Sequence, residues 1–109
     1  DETVYLRYIS ECIRRIEENI AGGRDQFMAS HTLQDAVLRN LQTMSESTQR
    51  LSDPTKASRL EIDWQRIVAF RNVLVHGYLG VDLERIWEIV QRDVPDLKRA
   101  ITAMLEKKP

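Results

Sequence analysis

The sequence predicts an all-α protein, a compact bundle of four to five helices, on three observations. Apolar residues recur at three- and four-residue steps and do not alternate. Glycine (4) and proline (3) are scarce in 109 residues. Apolar content of 42% beside 30% charged residues is the balance of an ordinary water-soluble core. A chain of this length holds one such core, so residues 1–109 are read as a single domain.

The first helix is expected from about Thr3 to Ala21, where Tyr5, Ile9, Cys12, Ile13, Ile16 and Ile20 form one stripe. Gly22-Gly23 ends it, because glycine accepts the left-handed conformation that closes many helices. Phe27 and Met28 pack in the connection. A second helix runs from about Leu33 to Leu51 with Thr32 as its N-cap, burying Leu33, Ala36, Val37, Leu41 and Met44. Its end, Ser45 to Arg50, is mostly polar and is expected to be exposed or to face a partner.

Ser52-Asp53-Pro54 breaks the chain, and residues 54–61 read equally well as a short helix or a loop. Asp63 caps a third main helix, Trp64 to about His76, which is apolar nearly all round and so expected to be buried on most sides. Gly77 and Gly80 end it. Asp82 or Asp93 can cap the two remaining helices, about Leu83 to Arg92 and Pro95 to Lys107.

Composition narrows the function classes. No apolar run approaches the roughly 18 residues of a membrane span, and no signal-peptide pattern opens the chain. The single cysteine, Cys12, lies on an apolar face and reads as core; a reducing cytoplasm fits. Paired zinc ligands are missing, so neither metal nor cofactor is expected. A net charge of −1 is not the footprint of a general nucleic-acid binder. Twelve arginines against four lysines still favour bidentate phosphate contacts wherever a local patch forms.

Arg71, Asn72 and His76 interrupt the most apolar helix, and burying them unpaired would cost several kcal/mol. Asn72 and His76 are four apart and share a face. Arg71 and His76 are five apart, about 140° around a regular helix. They converge only if the helix unwinds near Gly77 or if two protomers share a site. Tyr78 follows just beyond. Metal-free RNA cleavage needs a base at the 2′-hydroxyl, a cation on the phosphate and a proton donor for the 5′-oxygen. His76 can serve as base or acid and Arg71 as the phosphate clamp. A structural network of Arg, Asn and His inside a bundle has the same appearance.

The run Arg71 to Tyr78 reads R-x4-H-x-Y and resembles the signature of HEPN-domain toxins of the HepT-like family. Val4 to Ile9, Gln34 to Leu41, Trp64 to Ile67, Val81-Asp82 and Trp87-Glu88 resemble the same family in the same order, over essentially the whole chain. The resemblance implies a HEPN-like helical homodimer with metal-independent endoribonuclease activity, Arg71 and His76 being catalytic and Asn72 supporting. It implies a toxin paired with a minimal nucleotidyltransferase antitoxin that can transfer AMP to Tyr78 and silence cleavage. A non-catalytic nucleotide- or partner-binding module using the same cleft is the alternative.

The chain departs from the family's usual pattern in having Ser45-Glu46-Ser47 where Gly-Glu-Ala is common. It also has Asp63 where proline often precedes the helix-three tryptophan. Asp35 and Arg39, four apart, read as a helix-face ion pair or as residues near the cleft. His31 reads as a surface residue, and Trp64 and Trp87 as core or dimer contacts in preference to base-stacking platforms.

Overall fold

The computed structural model describes residues 1–75 and 82–107, with the backbone alone of 71–75. Helix α1, Thr3–Ile20, buries Ile9, Cys12, Ile13 and Ile16 of the expected stripe, with Leu6 added, while Tyr5 and Ile20 at its edges are only half-buried. It stops where the N–H of Gly23 donates to the Ile20 carbonyl at 3.0 Å. Gly23 has φ 91°. A Cβ there would meet nothing, so the backbone conformation alone calls for glycine.

The connection holding Phe27 is itself a short helix, α2 (Arg24–Ala29), and Phe27 is fully buried in it. Helix α3, His31–Thr48, begins two residues before the expected start. Ser30, and not Thr32, is its cap, accepting from the Leu33 N–H at 3.2 Å. Buried Gln34 secures α2 to α3, its Nε2 donating to the carbonyls of Phe27 (3.0 Å) and Met28 (3.1 Å).

The polar end of α3 is exposed only in part: Ser45, Ser47 and Thr48 are buried, and Glu46, Gln49 and Arg50 face solvent. Ser45 Oγ donates to the Gln42 carbonyl at 3.0 Å and Thr48 Oγ1 to that of Ser45 at 2.7 Å. Hydroxyls satisfied within their own helix can pack like small apolar groups. Positions 45 and 47, where the resembled family often has glycine and alanine, thus keep small, buried side chains.

Residues 54–61 include a helical turn, α4 (Asp53–Ala57), capped by Ser52. The Glu2 carboxylate accepts from the Ser52 N–H (2.5 Å) and from Thr55 Oγ1 (2.7 Å), joining the start of α1 to α4. Helix α5, Trp64–Val75, is capped by Asp63, whose Oδ1 accepts from the Arg66 N–H at 3.0 Å.

The two final helices expected are one, α6 (Leu83–Glu106), capped by Asp82 and continuous through Pro95. Asp93 is therefore no cap. The buried stripe Ile86, Ile89, Val90, Val94, Leu97, Ala100, Ile101, Met104 crosses the proline without losing register. An interior proline costs about 3 kcal/mol. Each large apolar side chain buried beyond it returns about 1.5–3 kcal/mol, so the stripe prevails.

The four long helices alternate in direction. Cys12 Sγ lies 3.4 Å from Thr43 Oγ1 while Glu2 meets Ser52, so α1 and α3 are antiparallel. Lys98 pairs with Glu17 at 2.8 Å while Leu6 and Met104 line one groove, so α1 and α6 are antiparallel. Helix α5 starts beside α4, its Trp64 Nε1 donating to the Lys56 carbonyl at 3.0 Å. Helix α6 starts beside α2, where Arg24 pairs with Glu84. Helix α5 thus runs from the α4 end of the bundle to the α2 end. The long dimension, 42 Å, is set by α6, whose 24 residues span about 36 Å.

Candidate functional site

Helix α5 carries Arg71 and Asn72 in its second half toward the α2 end of the bundle, packed against α3. His76, Gly77, Tyr78 and Gly80 lie outside the described residues, as do the side chains of Arg71 and Asn72. The backbone at Arg71 and Asn72 belongs to a helix that continues to Val75.

The start of α5 is held from three directions. Asp63 caps it. Trp64 Nε1 donates to the carbonyls of Lys56 (3.0 Å) and Arg59 (3.2 Å). Arg66 grips Asp93 of α6 with both arms of its fork, Nε to Oδ1 at 2.7 Å and Nη2 to Oδ2 at 3.2 Å. These hydrogen bonds, and then the carboxylate's charge, raise the proton affinity of Arg66 above its ordinary value. Sequence reading missed this pair, because Asp93 just before Val94-Pro95 looks like a cap.

Burial of α5 also differs from expectation. Ile67 and Phe70 enter the core, whereas Ala69 is exposed and Val68 retains 37% of its accessible surface. The single chain offers too few neighbours to cover an apolar helix on all sides.

Asp35 and Arg39 are exposed on α3 and do not form the helix-face ion pair expected of them. Neither forms an ion pair with another described residue, and both charges face solvent. His31 is exposed at the first residue of α3, as read. Trp87 lies with its ring centre 5.4 Å from that of buried Phe27, tilted by 36°, so one face of the indole serves the core.

An open groove of about 470 Å³ follows the first turns of α6, lined by Asp82, Glu84, Arg85, Trp87, Glu88, Gln91 and Arg92. Three carboxylates against two guanidiniums give it no positive field to draw in RNA. Among the described residues no three His, Cys, Asp or Glu side chains are grouped to hold a metal ion. No helix among them is long and apolar enough to cross a membrane.

Comparison with known proteins gives a consistent answer. The family model described as ribonuclease HepT-like matches residues 9–104. A Methanocaldococcus jannaschii protein, "Gamma-glutamylcyclotransferase and putative RNase", is 35% identical over 108 residues, 98% of this chain and 49% of that one. The chain thus spans about half the length of that relative. "Probable ribonuclease HepT" of Thermococcus cleftensis is 34% identical over 86% of each chain. "mRNA nuclease HepT" of Shewanella oneidensis is 29% identical, covering 85% of this chain and 87% of that one. No solved structure matches significantly. With its all-helical bundle and a family match over nearly its whole length, the chain belongs to the ribonuclease HepT-like family.

Proposed function

We propose that the chain is a metal-independent endoribonuclease toxin whose reactive groups are Arg71 and His76, with Asn72 supporting them. The observation that carries this reading is the R-x4-H-x-Y run, starting in α5, in a chain that matches a ribonuclease family from residue 9 to residue 104. In this scheme His76 takes the proton of the RNA 2′-hydroxyl or gives one to the leaving 5′-oxygen, and water completes the other transfer. The attacking 2′-oxygen displaces the 5′-oxygen, and Arg71 balances the charge that builds on the phosphoryl oxygens between those steps. The products are a 2′,3′-cyclic phosphate and a 5′-hydroxyl. Asp35 and Arg39, solvent-facing on α3, are candidates to border the cleft.

The chain works as a homodimer in this reading, supported by the apolar residues that α5 leaves exposed, Val68 and Ala69. Its partner is a minimal nucleotidyltransferase antitoxin acting with it in the cytoplasm. Transfer of AMP to the Tyr78 phenol, with pyrophosphate leaving, would put an anionic nucleotide beside Arg71 and exclude RNA.

The test is cleavage of a single-stranded RNA in EDTA. Cleavage that persists, and falls by about 100-fold or more in Arg71→Ala and in His76→Ala with the thermal midpoint kept, is the expected result. Saturable RNA binding without turnover would replace the enzyme with a binding module. For the regulatory arm, intact mass after co-expression with the nucleotidyltransferase should rise by one or more AMP units. That gain should vanish in Tyr78→Phe.

A further inference from the structure

The apolar surface of α5 does not say which way the helix should face. Ile67, Val68, Ala69 and Phe70 are consecutive, so at about 100° per residue they reach nearly every side. A partial turn that brought Ala69 inward beside Phe70 would exchange one apolar contact for another. By contrast, α1 has a single buried stripe, and turning it would put Arg14 or Glu17 into the core. Apolar burial is non-directional, so on α5 the rotation has to be specified by polar contacts.

Asp63 and Trp64 act only at the start of α5, through its first N–H groups and through carbonyls near α4. Arg66 is different. It joins the body of α5 to the middle of α6 by a two-point bond to Asp93, whose side chain is only 18% exposed. A fork on a carboxylate fixes direction as well as distance. A turn that carried Arg66 inward would break both arms and bury a guanidinium.

We propose that the Arg66–Asp93 clasp sets the rotation of α5 about its own axis and thereby positions Arg71 and Asn72 for the reaction. The proposal rests on the reading of Arg71 as a reactive group. Position 71 lies five residues beyond Arg66, about 140° further around the helix. Once position 66 is held against α6, position 71 is carried to another side of α5. Arg66 and Asp93 are positioning residues, and neither touches the RNA.

The ion pair between Lys98 and Glu17, at 52% and 45% exposure, has similar chemistry but joins α1 to α6 and supplies the control. Asp93→Asn should lower kcat about three- to fivefold with KM unmoved, the size of effect a partly exposed pair can carry. Arg66→Lys should do the same more weakly, because it keeps charge and loses the fork. The reversed pair, Arg66→Asp with Asp93→Arg, should recover most of the loss, and Lys98→Ala should leave kcat alone.

Hydrogen exchange reads the same device without any turnover. Amides of residues 71–75 should exchange about three- to fivefold faster in Asp93→Asn and be unchanged in Lys98→Ala. An unchanged exchange rate in Asp93→Asn overturns the clasp, as does an equal effect of Lys98→Ala. A wild-type protein that cuts no RNA overturns the proposed function instead, and exchange then still decides whether the clasp holds α5.

Discussion

Helices α1 and α5 solve the same packing problem from opposite sequence patterns. In α1 the apolar residues from Leu6 to Ile16 recur every third or fourth place with charged residues such as Arg14, Arg15, Glu17 and Glu18 opposite, so the buried face follows from the pattern even though Val4 and Tyr8 stay exposed. In α5 most residues are apolar, and the charged or polar exceptions fall among them. Helix α1 therefore contributes stability and needs no directional bond, whereas α5 depends on Asp63, Trp64 and Arg66 for its placement. A helix that has no preferred apolar face is oriented by its neighbours.

The comparison can be broken most forcefully in the core. Ile9, fully buried on α1, and Phe27, fully buried on α2, should each cost about 3–5 kcal/mol when changed to alanine. Urea unfolding with an unchanged m-value would measure it, and a cost under 1 kcal/mol would show that the stripe is not what holds the bundle. On α5 the next contrast is between adjacent residues. Ile67→Ala, at a buried position, should cost about 2–4 kcal/mol, but Val68→Ala only about 0.5 kcal/mol in the monomer. Val68→Asp tests what the exposed face is for. Sedimentation at micromolar concentration should show a dimer for the wild type and a monomer for the variant. A wild-type monomer, or a variant that stays dimeric, would remove α5 from the interface.

The smallest expected effect is on the solvent side of α1. Glu11 is gripped by hydrogen bonds from Arg14 and then Arg15, which lower its pKa from 4.5 to about 2. A carboxylate with a depressed folded-state pKa adds stability that is complete above pH 4.5 and lost as pH falls toward 2. Solvent screens so exposed a cluster strongly. Thermal midpoints followed from pH 6 to pH 2 should show a slightly shallower acid decline for Glu11→Gln. A decline no different from wild type would mean that solvent has erased the contribution.

What could be read ahead of the structure follows the same division. The α1 stripe, the glycine stop and the Asp63 cap were legible because each is a local pattern with one physical meaning. The polar end of α3 was not, since Ser45 and Thr48 satisfy their hydroxyls on their own helix and so look like solvent-facing residues. Pro95 reads as a helix start unless the apolar register on both sides of it is compared. Helix α2 has six residues around one buried phenylalanine, too few to show a period. At the site, the chemical types of Arg71, Asn72, His76 and Tyr78 stand together in the sequence and could be recognised. Whether they converge is not legible there, because a five-residue spacing leaves it to the helix end or to a second protomer. Arg66 and Asp93, 27 residues apart, meet only through the fold.

The Glu2 bond to α4 and the groove shared by Leu6, Met104 and Lys107 put the start of α1 and the finish of α6 at one end of the bundle. Arg71 is carried toward the other. For protein engineering this makes the molecule a plug with its handle at one end. A fluorescent reporter or a surface tether placed on exposed Val4, near the start of α1, or on exposed Glu106, at the finish of α6, would sit far from the α2 end.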